Sequence, residues 1–187
     1  MKKLIRAFSL FSIFFLLYSC SSSGNTYMEK RAAIDKMSAD AVSKLSEKNA
    51  TASREIKNGY GYAVFSNSNV TVLFVGGSGG YGVLHNNQSG ENTYMKMGGA
   101  NVGIGLGMKN IRIVFTFKTK KAFDNFKENG WLGGAQADAT AKSKQKGGAN
   151  DVQVDTSGTH TYVMTNEGVA LQASIQGSKY WKDDSLN

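Results

Sequence analysis

The chain of 187 residues contains 22 glycines and no proline. Every turn must therefore be made by Gly, Asn, Asp or Ser, and no segment has its φ locked by a pyrrolidine ring. The glycines are unevenly placed. Residues 27–57 contain none, whereas from Tyr60 onward they punctuate short runs of alternating character. A segment free of glycine can sustain a helix, since each glycine inside one costs about 1 kcal/mol relative to alanine. Short period-two runs separated by glycine predict strands joined by tight turns. The expected class is α+β, mainly antiparallel β: a strongly curved sheet or small barrel-like β domain with an N-terminal helical arm and one short helix near 120–129.

In the arm, Ile34, Met37, Ala41 and Leu45 recur at helical spacing. Met28, Ala33 and Val42 are expected to widen that stripe, and Lys30, Arg31, Asp35, Lys44, Glu47 and Lys48 fall on the other face. The expected role is packing on the sheet, with a membrane-surface helix as the alternative. Residues 49–51 break the run, Thr51 or Ser53 is expected to cap a second short helix, and Gly59 ends it.

Strands are expected at 62–65, 70–75, 81–84, 93–97, 101–108 and 111–117, with a turn at 66–69 and another at 86–90. The run 70–75 (VTVLFV) is β-branched and apolar, which predicts burial on both faces. Thr119 is placed to cap a helix over 120–129, with Phe123 and Phe126 inward and Gly130 closing it. Residues 135–146 alternate small and polar side chains, which predicts a strand in a crowded interior. Strands at 152–155, 160–165 and 169–176, with a hairpin loop at 166–168, complete the sheet.

Several motifs invite over-reading. Gly77-Ser78-Gly79-Gly80-Tyr81-Gly82 spells G-x-G-x-x-G, but a dinucleotide site needs a helix to begin there, and the next residues have strand character. A glycine-rich hairpin or close backbone packing is expected instead. Gly103, Gly105 and Gly107 alternate with apolar residues, leaving one strand face nearly bare. His85 and His160 lack ligand spacing and are expected at the surface or beside turns, and no metal or cofactor is implied. No nucleophile elbow or paired carboxylates stand out, so no catalytic residue is assigned and no enzyme is expected.

The first residues look like an address. Lys2, Lys3 and Arg6 precede the apolar run 8–17 (FSLFSIFFLL), which is short for a membrane span but suits a signal peptide. The run ends in Leu17-Tyr18-Ser19-Cys20, which resembles a bacterial lipobox, and Cys20 is the single cysteine. The resemblance implies cleavage after residue 19 and lipid attachment at Cys20, and a lipid-linked chain of this kind is held stably on a bilayer. Residues 20–26 form a lipidated tether, and residues 27–187 a single domain. Ser21 resembles the default signal for sorting to the outer membrane, so the expected location is the bacterial envelope. Loss of Lys2, Lys3 and Arg6 lowers the formal charge from +8 to +5. So mild a charge, on an exported chain, gives no reason to expect a nucleic-acid partner.

Gly61-Tyr62-Ala63-Val64-Phe65 is similar to the opening motif of the SYLF domain family. The likeness continues through the glycine stretch 75–84, the segment 103–115, the turn Gly130-Trp131-Leu132-Gly133-Gly134 and the hairpin 162–178. It covers residues 28–182. Two departures stand out: Ser66 occupies a position where the family usually has proline, and the central glycine-rich insert is short and carries Lys142, Lys144 and Lys146. The resemblance implies association with membrane lipid and no established catalytic residue. Eukaryotic members are similar in binding phosphoinositides and actin; in a bacterial envelope the expectation narrows to anionic phospholipid. Candidate headgroup contacts are Lys118, Lys120 and Lys121 at a helix start, Trp131 at interface depth, and Lys142, Lys144 and Lys146 on one strand face. The alternative is a scaffolding lipoprotein that binds an envelope protein and touches lipid only through its anchor.

Overall fold

The structure, a computed structural model, describes residues 24–72, 75–102, 107–130, 158–165, 168–169 and 178–187. Among the described residues two helices come first. Helix α1 (Tyr27–Lys48) starts in a reciprocal cap: the Thr26 hydroxyl accepts from the Glu29 amide, and the Glu29 carboxylate accepts from the Thr26 amide. The stripe Ile34, Met37, Ala41 and Leu45 is buried as its spacing requires, but Met28 is 80% exposed and does not extend it. Helix α2 (Ala50–Asn58) is capped by Asn49 rather than by Thr51 or Ser53, its side chain accepting from the Ala52 amide at 2.9 Å. Asn49 also closes α1, so a single residue ends one helix and starts the next.

Seven antiparallel strands follow: β1 (Gly61–Val72), β2 (Val75–Asn86), β3 (Asn92–Val102), β4 (Gly107–Phe117), β5 (Thr159–Thr165), β6 (Gly168–Val169) and β7 (Ser178–Lys182). Their order in the sheet is β6-β5-β4-β1-β2-β3-β7, so the described sheet is open at β6 and β7 rather than closed into a barrel. Three boundaries differ from the local reading. Ser66, Asn67, Ser68 and Asn69 do not turn, because β1 runs through them paired with β2 on one side and β4 on the other. Ladder bonds on both edges of a central strand override the turn preference of Asn and Ser. The expected strand 70–75 is split, with Val72 of β1 facing Val75 of β2 across the hairpin. The expected strand 101–108 is split likewise between β3 and β4. The expected strands at 135–146 and 152–155, and most of 169–176, lie outside the described residues.

Alternation along the central strands feeds two cores. Val64, Val83, Tyr94, Val114, Tyr162 and Met164 meet α1 and α2 on one face. Ala63, Phe65, Leu84, Met95, Ile113, Phe115, Phe117 and Tyr180 meet helix α3 (Lys120–Asn129) on the other. Phe123 and Phe126 of α3 are buried there as predicted, Thr119 caps the start, and Gly130 ends it at φ 64°.

The second face is concave. Tyr180 on β7 lies four strand steps from Phe115 on β4, about 19 Å along a flat sheet, yet their ring centroids are 5.2 Å apart. The G-x-G-x-x-G stretch explains how this closeness is reached. It lies within β2, and its Gly80 and Gly82 face the concave side without side chains. A Cβ on Gly82 would lie 2.5 Å from Cδ1 of Phe65. The glycines therefore serve close packing, as expected, and no helix follows them.

The chain end clasps β3. Asp183 accepts from the Ser185 hydroxyl at 2.6 Å and from Lys96 at 2.9 Å, and the Asn187 carboxamide bonds both backbone groups of Tyr94. Burial on its own would raise the Asp183 carboxyl, but hydrogen bonds from Ser185 and Lys96 outweigh it and hold the group below its ordinary value.

Two predictions follow from this packing. Phe65→Ala should cost about 3–5 kcal/mol in denaturant unfolding, because the ring contacts Phe115, Phe126 and Tyr180 at once. A group with a lowered folded pKa stabilises above its unfolded pKa, here 3.8, and loses that contribution as pH falls through the folded value. Unfolding of the wild type and of Asp183→Asn, followed from about pH 6 to about pH 3, should show a gap that narrows only at the acid end.

Candidate functional site

The lysines singled out at the start of α3 follow directly from the end of β4. Lys118 continues the strand, its amide donating to the Gly158 carbonyl at 2.8 Å, and Thr119 then caps the helix by accepting from the Ala122 amide. Lys118, Lys120 and Lys121 are all exposed, but they are not equivalent. Lys120 is drawn along the helix to Asp124 at 2.5 Å, a hydrogen bond and ion pair that raise its pKa. Lys121 makes no hydrogen bond or ion pair among the described residues. Lys118 turns the other way and donates from Nζ to Nε2 of His160 at 3.2 Å. Trp131, Lys142, Lys144 and Lys146 lie outside the described residues, as does the anchor position Cys20.

His160 is buried, 4% exposed, and so not at the surface, though it lies two residues after the turn at Gly158, the other expected setting. Its Nδ1 donates to Oε1 of Glu55 at 2.6 Å, while Oε2 of Glu55 accepts from the Tyr162 hydroxyl at 2.8 Å and the Thr116 hydroxyl at 2.9 Å. The geometry follows from two periodicities. Ala52 and Ile56 face the sheet from α2, and Glu55, three residues after Ala52, shares that face. Thr116 has the parity of Val114 on β4, and His160 that of Tyr162 on β5, so all four point toward α2. Sequence reasoning missed this group. The signal lay in those parities, but Glu55 lies 105 residues from His160. A carboxylate largely out of water needs several donors to offset its lost hydration, and Glu55, its side chain 12% exposed, has these three among its partners.

A second polar chain lies across the start of β3. Asp35 of α1 accepts from the Asn92 carboxamide and the Tyr94 hydroxyl, both at 3.0 Å, and Asn92 in turn contacts Nδ1 of His85 at 2.7 Å. Burial, and then the hydrogen bond to Asp35, push the Tyr94 hydroxyl above its ordinary range. Arg31 covers the Tyr94 ring at 5.4 Å and bonds the Leu186 carbonyl at 2.7 Å. Beside it a cleft of about 300 Å³ is bordered by Arg31, Lys127, Lys182 and Asn187. Of these cations the sequence reading mentioned only Arg31, and not as a headgroup contact.

These features occupy one end of the sheet. Asn92, His85, Tyr62 and Thr116 are successive cross-strand partners, so the start of β3 and the end of β4 lie at the same end of the sheet, three strand steps apart. At the start of α1, Tyr27 and Met28 are 64% and 80% exposed. Among the described residues no group of His, Cys, Asp and Glu is arranged to hold a metal, and no helix is long and apolar enough to cross a membrane.

No protein-family model matches the chain. It is 34% identical over 164 residues, 86% of its length, to Beta cell expansion factor A of Aeromonas veronii. The chain spans 60% of that relative's length.

Removing the Glu55 carboxylate should test the network. Glu55→Ala should destabilise by about 3–5 kcal/mol, since it removes the acceptor that three buried donors share, whereas Tyr162→Phe should cost only about 1 kcal/mol in the same unfolding assay.

Proposed function

We propose that this chain is an envelope lipoprotein of the SYLF type, anchored through Cys20, whose β-rich domain rests on anionic phospholipid and performs no catalysis. The observation that carries this reading is the pair of exposed helix starts, one apolar and one basic. Tyr27 and Met28 open α1 exposed, within eight residues of the anchor cysteine, and Lys118, Lys120 and Lys121 are exposed around the start of α3. Apolar side chains that enter the acyl boundary beside cations that meet headgroup phosphates are what an interfacial contact requires. The helix start behind Lys120 adds its amides to the same field. Lys121 is the most available cation of the three, because Lys120 is shared with Asp124 and Lys118 with His160. The motifs from Gly61 to Ser178 support the family assignment.

A form lacking residues 1–20 should co-sediment with vesicles containing anionic lipid at low salt and release as salt rises. A cation near such a surface contributes about 1 kcal/mol, so Lys120→Ala with Lys121→Ala should weaken partition by about thirtyfold. Failure to bind at low salt would remove the lipid reading. Capture of a defined envelope protein in its place would favour a scaffolding lipoprotein that touches lipid only through its anchor.

A further inference from the structure

The Glu55–His160–Lys118 line has an order that a merely space-filling polar cluster does not need. A carboxylate can only accept, so the imidazole nitrogen 2.6 Å from Oε1 carries the proton, and in the neutral ring the opposite nitrogen Nε2 keeps its lone pair. The group placed on that lone pair, 3.2 Å away, is the amine of Lys118. His160 is 4% exposed while Lys118 is exposed, so a reagent in solution reaches this base by way of the lysine. Carboxylate, imidazole and nucleophile in sequence is the arrangement by which a side chain gains a base for the proton it must lose on attack.

We propose that Lys118 is a site of selective acylation by activated acyl esters or thioesters, with His160 as its general base and Glu55 as the residue that positions the ring. The proposal goes beyond the membrane reading and does not depend on it. In the step, the lone pair of the free amine forms a C–N bond to the acyl carbonyl carbon. The tetrahedral adduct passes its extra Nζ proton to Nε2 of His160. The carbonyl re-forms as the C–O or C–S bond breaks, the pair leaving on oxygen or sulfur, and the imidazolium returns its proton to that leaving group. The products are an amide on Lys118 and one equivalent of alcohol or thiol. Lys121, exposed three residues on, has no imidazole beside it among the described residues and provides the internal reference.

The full chain as isolated is treated with limiting p-nitrophenyl acetate near neutral pH, and acetylation of each lysine is followed by peptide mass spectrometry. Lys118 should acetylate at least about tenfold faster than Lys121, a modest share of what a positioned base supplies. His160→Gln should bring the two rates within about twofold, and Tyr162→Phe, which leaves the imidazole in place, should keep most of the excess. Equal rates at Lys118 and Lys121 in the wild type would overturn the proposal without any variant having to fold. An undiminished excess in His160→Gln would overturn it too. Since vesicle binding is read through Lys120 and Lys121, either result leaves the membrane proposal to be decided separately.

Discussion

The packing of Tyr180 against Phe65 and Phe115 holds the shape of this molecule. It brings the last strand of the sheet over the middle ones, with centroid distances of 4.7 and 5.2 Å, and so curls the sheet around a core of aromatic rings. Two things make the approach possible. Gly80 and Gly82 remove the side chains that would stand between the rings, and Phe126 of α3 closes the concave side at 5.6 Å from Tyr180. Such rings contribute both buried area and favourable edge-to-face contact, so losing one affects several neighbours at once. The clasp of Asp183 and Asn187 on β3 then keeps β7 in place.

On the convex side the sheet is covered by α1 and α2, and here the cost of burying charge is met locally. Glu55 lies over β4 and β5 with three donors. Asp35 lies over β3 with two. Each carboxylate ties a helix to a strand far away in the chain, which apolar packing alone would do with less definite register. The same ties orient the groups at one end of the sheet, where Lys118 leans on His160 and Arg31 on Tyr94. The membrane reading is tested through Lys120 and Lys121, and the acylation proposal concerns the amine of Lys118 with its buried support.

Where the order was local, it was legible. The Ile34, Met37, Ala41 and Leu45 stripe, the Thr119 and Gly130 caps, the hairpin turn after Asn86 and the strand nature of the glycine-rich stretch all rest on neighbours within a few residues. Where neighbours across the sheet decide, local reading failed. Ser66 to Asn69 resemble a turn but lie in a strand paired on both sides, even though the buried Asn67 carboxamide has no hydrogen-bond partner among the described residues. The candidate site was legible only in part. Lys118, Lys120 and Lys121 were placed correctly at the helix start, but their unequal partners were not foreseen.

The sequence by itself determined that this is a proline-free chain with a helical arm followed by short, glycine-spaced strands, because helix periodicity, caps and turn chemistry act over a few residues and need no partner. Only the tertiary structure decided which strands are neighbours, how far the sheet curls, and that His160 is buried between Glu55 and Lys118. Those outcomes depend on ring against ring and carboxylate against donor across separations on the order of a hundred residues, as between Glu55 and His160, where no local pattern carries the information.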